Sequence, residues 1–493
     1  MLLLGIDVGT SSIKVSVVDA ETQKAVVSAQ YPETESQIKS LKPGWAEQSP
    51  EMWWEHVQQA ILKANASGAY QPRDIGSIGI AYQMHGLVVV DRGQNVLRDS
   101  IIWCDSRAVE IGNNAFRKIG EERSLSRLLN SPGNFTASKL AWVKENEPEL
   151  FSRIDKVMLP GDFIAMRLTG EATISASALS EGILWDFQDD TISKDVLECY
   201  GFSSELFPPV KPVFAEHGYV TEAIAAKLSL RAGIPVTYKS GDQPNNALSL
   251  NVLQPGEVAA TAGTSGVIYG VSDKLAYDPQ SRVNTFAHVN YAGEQKRVGV
   301  LLCINGTGIL NRWVRNNMAP GVSYKTMDSQ GKEVPVGADG LRILPFGNGA
   351  ERMLNNKLIG AHLLNVDFNL HTQAHIFRAE QEGIAFAFRY GLDIMRENGM
   401  NPSVIRAGKA NLFQSPLFCE AFVNSTNVPV ELYDNDGSVG AAIGAGIGVK
   451  AFASESEAFT NQRAIQLIEP GMSEVYEEIY QDWKTLLLRK LAE

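Results

Sequence analysis

The stretch Met1–Asp19, MLLLGIDVGTSSIKVSVVD, decides how the rest of the chain is read. Apolar residues cluster or alternate over LLLGIDV and again over IKVSVVD, the pattern of two short strands. The residues GTSS between them read as a tight turn, with backbone freedom at Gly9. Thr10, Ser11 and Ser12 gather hydroxyls and N–H groups around one point. Such a turn either closes a plain hairpin or cradles a phosphate, with Asp7 and Lys14 beside it. The stretch alone leaves both readings open.

With 493 residues the chain has room for two or more domains, each with a substantial core. Net charge is −12 and no Lys/Arg-rich run occurs, so neither nucleic acid nor an anionic membrane is an expected partner. A small phosphate ligand needs only a local site. Cys104, Cys199, Cys303 and Cys419 form no CxxC pair, which removes zinc knuckles and a disulfide framework and points to a reducing compartment. Asp7 interrupts the opening apolar run too early for a signal peptide or membrane anchor, so a cytoplasmic location is expected.

Further along, AVVSAQY, IGSIGIAY and LVVVD read as strands. The spacing predicts a helix over 50–66, and TASKLAWVKENEPELF reads as helical with Thr136 as its N-cap. A second strand-turn-strand, EVAATAGTSGVIYGVSD, matches the opening at an offset of 254 residues. Gly9-Thr10-Ser11 falls on Gly263-Thr264-Ser265, and Asp19 on Asp273. A hairpin that restarts halfway along suggests two related domains, 1–247 and 248–493. Near the end, SVIRAG and VPVELYD read as strands, and KANLFQ as a loop entering a helix through Phe422. GSVGAAIGAGIGVKA reads as a helix whose small residues allow close packing. Neither a P-loop nor a strand-linked G-x-G-x-x-G is present.

As a pair, the two Gly-Thr-Ser turns favour a phosphate site across a cleft, and Asp7 could hold magnesium directly or through water. QMHG, Gln83–Gly86, offers polar groups suited to sugar hydroxyls, although a histidine at a strand end is also a common structural residue. Trp103, Asp105 and Arg107 in IIWCDSRA form a carbohydrate-friendly set or an ordinary ion pair. In KSGDQPNN, Asp242 stands on a turn at the domain boundary, either as a turn residue or as the general base for an attacking hydroxyl.

These residues resemble the FGGY carbohydrate kinases over nearly the whole length. The likeness is carried by GIDVGTSSIK, PGWAEQSPEMWW, IGIAYQMHG, IIWCDSR, SKLAWVKENEPELF, DKVMLPGDFIAMRLTGE, SGDQPNNA, EVAATAGTSGVIYGVSD and AERMLNN. The resemblance implies an α/β actin-like ATPase fold, two ribonuclease-H-like domains flanking a deep cleft. It implies ATP- and Mg2+-dependent phosphorylation of D-xylulose at its 5-hydroxyl, with Asp242 as base. Gln83, Met84, His85, Trp103, Asp105 and Gln243 would contact sugar together with Asp242. Thr10, Ser11, Lys14, Gly263, Thr264, Ser265, Gly408 and Asn411 would hold the nucleotide, and Asp7 the metal.

Three places depart from the family pattern. Gln243 stands where the family has Asn, Ala407-Gly408-Lys409-Ala410-Asn411 replaces a Gly-Gly-Gly-Ala loop, and Glu351-Arg352-Met353-Leu354 replaces Glu-Arg-Thr-Pro. The alternatives are a kinase for another ketopentose or a deoxysugar such as ribulose or fuculose, and a non-enzymatic actin-like ATP-binding protein. The implied partners are a small sugar and ATP, with a homodimer allowed.

Overall fold

The computed structural model describes residues 1–493. Its first sheet is built from β1 (Leu2–Val8), β2 (Ile13–Asp19), β3 (Lys24–Tyr31), β4 (Ile75–Tyr82) and β5 (Val236–Gly241), in the order β5-β4-β1-β2-β3. β2 lies between β1 and β3 and is antiparallel to both, whereas β4 and β5 run parallel to β1. The second sheet contains β6 (Val258–Ala262), β7 (Gly266–Ser272), β8 (Asn284–Ala287), β9 (Val298–Ile304), β10 (Ile405–Gly408), β11 (Val430–Tyr433) and β12 (Gln466–Ile468). Its order is β8-β9-β7-β6-β10-β11-β12. The central five strands repeat the first sheet: an antiparallel run β6-β7-β9 on one side and parallel β10 and β11 on the other. The repeat suggested by the two Gly-Thr-Ser turns is therefore a repeat of topology, with β8 and β12 added at the edges.

Strand alternation assigns the two faces of β1. Leu4, Ile6 and Val8 enter the core shared with α1 (Pro50–Ala66), through Trp53, Val57 and Ile61. Leu3, Gly5 and Asp7 point the other way. There they meet α7 (Gly437–Gly448), a helix from far down the chain that lies across β1, β4 and β5. Between the sheets runs α2 (Asp242–Ser249), which leaves β5 directly and packs on α7. The second sheet is covered by α5 (Gln373–Glu397), backed by α6 (Pro416–Thr426) and by α8 (Ser473–Ala492), which buries Tyr476, Tyr480, Trp483 and Leu487. Preceding these are α3 (Gly308–Asn317) and α4 (Tyr324–Glu333).

We keep 247/248 as a proposal for where the chain passes from one half to the other; α7 returns across that line to the first sheet. No helix is long and apolar enough to cross a membrane.

Local details differ from the sequence reading in two places. Phe135, not Thr136, occupies the N-cap of the helix Thr136–Asn146, because the Thr136 hydroxyl instead donates to the His85 carbonyl. Pro148 ends that helix and opens a separate turn, Pro148–Phe151, since it lacks the N–H that a continuing helix requires.

The packing of α7 on the sheet is backbone against backbone. A Cβ on Gly79 would lie 2.0 Å from the Ala441 carbonyl oxygen, and one on Gly5 1.8 Å from that of Ser438. Gly79→Ala is therefore expected to lower stability by about 1–3 kcal/mol, because neither backbone can yield cheaply. Gly471→Ala, where a Cβ meets nothing within 4 Å, serves as the control. Urea unfolding checks both; equal midpoints for the two variants would contradict the contact.

Candidate active site

The first turn is closed by Gly9 N–H donating to the Ser12 carbonyl at 3.1 Å, which leaves Ser11 exposed at its tip. Thr10 is not free in the same sense. Its hydroxyl accepts from Trp103 Nε1 at 3.0 Å and donates to Gln83 Oε1 at 3.2 Å, while its carbonyl accepts from Gln48 Nε2 at 2.8 Å. Gln48 Oε1 in turn accepts from Gln83 Nε2 and from Trp53 Nε1. Both glutamines are buried. Both ends of the Gln83 amide are engaged beneath the turn, where it holds Thr10 in place. Gln48 was not singled out from the sequence, because a lone glutamine before a helix carries no pattern.

On the opposite face of β1, Asp7 sits where α7 begins. A Cβ on Gly437 would come within 2.3 Å of its carboxylate. Burial and the nearby Asp436 push the Asp7 carboxyl up to about 6, with Lys14 opposing. Lys14, paired with Asp7 across β1 and β2, extends to Asp436 and bonds it at 2.6 Å. Asp436 is the N-cap of α7 and also accepts from Ser438 N–H and hydroxyl. Burial opposes its ionisation, yet Lys14 and Ser438 hold its carboxyl below the usual range.

Asp242 is the first residue of α2, where unpaired N–H groups favour an anion. Burial and the Asp7 charge nevertheless push it up to about 7, the adjacent Gln243 amide partly offsetting this. A buried carboxylate at Asp7, close enough to raise the Asp242 carboxyl, fits a divalent ion held through one or two oxygens, water and phosphate. No cluster of three or more His, Cys, Asp or Glu side chains offers a closed protein cage. Asp7 is therefore the residue that could hold magnesium, which leaves the Asp242 carboxyl free.

Beside Asp242, Met84 packs on Gly241, whose Cβ position lies 2.7 Å from Met84 Cγ. His85 adopts a left-handed backbone, φ 63°, that turns its ring between Phe135 and Phe286, with centroids 4.8 and 5.5 Å away. Its backbone N–H donates to Glu181 Oε2, and its Nδ1 lies 3.0 Å from the Glu181 carbonyl. A carbonyl only accepts, so Nδ1 carries the proton and Nε2 is left as an acceptor. Burial, with Lys139 and Arg352 adding like charge, holds His85 down at about 3, so it is neutral.

Glu181 also accepts from the Tyr82 hydroxyl at 2.7 Å, and burial raises its carboxyl well above the usual range. Lys139 Nζ bridges the His85 and Ile102 carbonyls at 2.9 and 3.0 Å, tying the QMHG turn to the segment that carries Trp103. Neither Glu181 nor Lys139 was anticipated; each is a charge inside an otherwise apolar or mixed helix, and only the fold reveals what it faces.

Trp103 is half-exposed, with its indole anchored on Thr10. Asp105 is not at the site. It is fully buried, accepts from the Ala46 N–H at 2.6 Å and pairs with Arg107 at 2.7 Å, an ion pair inside the protein and not on its surface. Gln243 is partly exposed beside Asp242, and its Oε1 has no hydrogen-bond partner.

The second turn, Gly263-Thr264-Ser265, is braced from behind by the start of α3. Gly308 N–H and the Thr307 hydroxyl donate to the Gly263 carbonyl at 2.9 and 3.0 Å. Gly263 and Thr264 line a cavity of about 730 Å3 together with Asn411, which sits in a left-handed conformation at φ 52° with its amide beside Gly263. Arg312, Lys325 and Lys332 make the lining cationic. Those three lie on α3 and α4, where a sequence shows only charged helix surfaces. Gly408 ends β10 outside this cavity and backs onto Asn435, whose side chain donates to Asn246 of α2. The cavity suits a polyanion that ends at the second turn.

Comparison with known proteins bears on this arrangement. Residues 2–249 match the model for the N-terminal domain of the FGGY family of carbohydrate kinases, and residues 258–449 that for its C-terminal domain. A xylulose kinase from Bacillus subtilis is 28% identical over 461 residues, covering 92% of this chain and 90% of its own. One from Escherichia coli is 28% identical over 458 residues, covering 90% and 88%. The crystal structure of xylulose kinase from Rhodospirillum rubrum superposes with a TM-score of 0.89 at 26% identity, covering 99% of both chains.

The raised carboxyls have a consequence for stability. A carboxyl whose folded value exceeds its unfolded one penalises the fold as pH rises from the unfolded value, near 4, to the folded one. For Asp242 that penalty is complete above about pH 7 and smaller at pH 5. Asp242→Asn is thus expected to raise the ligand-free melting temperature at pH 8, by about 1 °C per kcal/mol relieved for a chain of this length. The gain should shrink at pH 5. Thermal scans at the two pH values check this; a loss of stability at pH 8 would contradict it.

Proposed function

The chain belongs to the FGGY family of carbohydrate kinases, and from that premise we propose that it transfers the γ-phosphoryl group of ATP to the 5-hydroxyl of D-xylulose, with Asp242 as general base. The observation that carries the reading is Asp242 itself: a carboxyl poised at about 7, at a helix N-terminus, with Met84 against its preceding glycine and His85 nearby. A base with that poise is about half ionised at neutral pH and basic enough to accept a hydroxyl proton as the new bond forms. The 28% identity to xylulose kinases over most of the chain supports the choice of sugar.

In this reading the 5-oxygen attacks the γ-phosphorus as its proton passes to Asp242, and the bond to the bridging oxygen of ADP breaks. Phosphoryl transfer asks the protein mainly for position and charge stabilisation. Ser11 and the first turn face the transferring group; Gly263, Thr264 and Ser265 receive the remaining phosphates, and Asn411 lies toward the nucleoside. Magnesium, held by Asp7, would neutralise phosphate charge. His85 Nε2 accepts from a sugar hydroxyl, and the exposed face of Trp103 stacks on the carbon chain. A non-enzymatic ATP-binding protein would have no use for either the acid or the neutral histidine.

ADP release, measured with ATP and magnesium over D-xylulose, D-ribulose, L-ribulose, L-fuculose, gluconate and glycerol, tests the substrate. D-xylulose is expected to give the highest kcat/KM, and a higher value for another sugar would replace it. Asp242→Asn should lower kcat by about 10²–10⁴-fold while sugar and ATP binding persist. In the native enzyme kcat/KM should fall as pH drops below about 7, because the base is then protonated. A variant with near-normal turnover would remove Asp242 from the role.

A further inference from the structure

One cation near the sugar side lacks a partner. Arg352 begins the short turn Arg352–Leu354, which is fixed by its buried neighbour Glu351, whose carboxylate accepts from the Asn305 and Gly306 N–H groups. The guanidinium lies against Gly133, 5.8 Å from the Phe135 ring centroid, and Phe135 packs edge-on against His85. Its charge is felt at His85, whose basicity it lowers. Nη1 donates weakly to the Ser281 carbonyl at 3.3 Å and hydroxyl at 3.5 Å; Nε and Nη2 have no protein partner. Arg352 forms no ion pair. The Cys303 thiol is its one compensating neighbour, and burial keeps that thiol neutral at pH 7. A guanidinium partly withdrawn from water, with donors unused, is costly unless something else completes it.

We propose that Arg352 completes the sugar site from the second half of the chain by donating to the C2 carbonyl of an open-chain ketose. This deepens the proposed function and rests on it. The chemistry selects that form. A 2-ketopentose closes its furanose ring through the 5-oxygen, so a substrate phosphorylated there must be bound open, with the C2 carbonyl free. A carbonyl only accepts, and an uncompensated guanidinium only donates. His85 Nε2 has the opposite preference and takes an adjacent hydroxyl proton. Together the two residues read an acceptor beside a donor, whereas a pentitol, with a hydroxyl at C2, gives Arg352 a weaker partner. Arg352 is in this sense specificity-determining.

The test compares D-xylulose with xylitol and D-arabinitol, the pentitols that differ from it only by reduction at C2. They are assayed as substrates or, where turnover is too slow, as competitive inhibitors. In Arg352→Met, kcat/KM for the ketose should fall about 10- to 100-fold while the pentitol values move less than about threefold, so the ketose preference collapses. Arg352→Lys should recover part of that preference, and KM for ATP should be unchanged in both. Arg352→Gln supplies the same comparison if the Met variant fails to fold. Equal losses on ketose and pentitols would make Arg352 a structural clamp and overturn the inference, as would an undiminished ketose preference. A wild-type enzyme inactive on D-xylulose would instead overturn the proposed function beneath it.

Discussion

The structure depends on a backbone-to-backbone contact between the first sheet and a helix made far later in the chain. Gly5 and Gly79 on the sheet let α7 approach until carbonyls touch strands, and Gly437 lets its N-terminus reach the Asp7 carboxylate. That proximity fixes the axis of α7, and α2 packs along it, with Asn245 donating to the Gly437 carbonyl. Asp242 at the head of α2 and Asp7 at the end of β1 thereby share one location. The Lys14–Asp436 pair then ties the second strand to the cap of the same helix. The carboxylates at the cleft owe their positions to this packing rather than to their own hydrogen bonds.

A second constraint works on the sugar side, where charge is buried to hold loops. Lys139 gathers the His85 and Ile102 carbonyls, Glu181 fastens the His85 backbone, and the Gln48–Gln83 pair sets Thr10. Each of these loops has strained or irregular backbone, such as the positive φ of His85, which persists only because several bonds over-determine it. The result is a rigid floor whose free groups are few: Nε2 of His85, the face of Trp103 and the Asp242 carboxylate. Rigid placement of a few polar groups is what sugar recognition asks of a site.

The opening hairpin, its echo at Gly263 and the helix over 50–66 were legible because strand alternation and helical spacing are local patterns. Asp242 and His85 were legible as candidates, since each stands at the end of a strand. Asp105 and Gln83 show what local pattern leaves open: polar residues beside a site look alike in sequence whether they point into the cleft or under it. Glu181 gave no local signal, and Lys139 and Arg352 lay within recognised stretches without any sign of what they face. Their significance comes from partners tens to hundreds of residues away, and so does the crossing of α7 onto the first sheet, which its glycine content announced only as close packing with something.

That crossing also orders events in time. Gly241, the last residue of the first sheet, leaves the ribosome roughly 200 residues before Gly448 ends α7, an interval of about 10–40 s at ordinary rates of translation. Throughout it, the face bearing Leu3, Gly5, Ala81 and Tyr238 is covered only in part, by Val213, Phe214 and Leu248, and lacks the helix that closes it. The nascent first half therefore carries an unsealed apolar surface until the second half has been made. The two halves share a topology, yet they are not two independent folding units: the earlier one waits for the later one to close it.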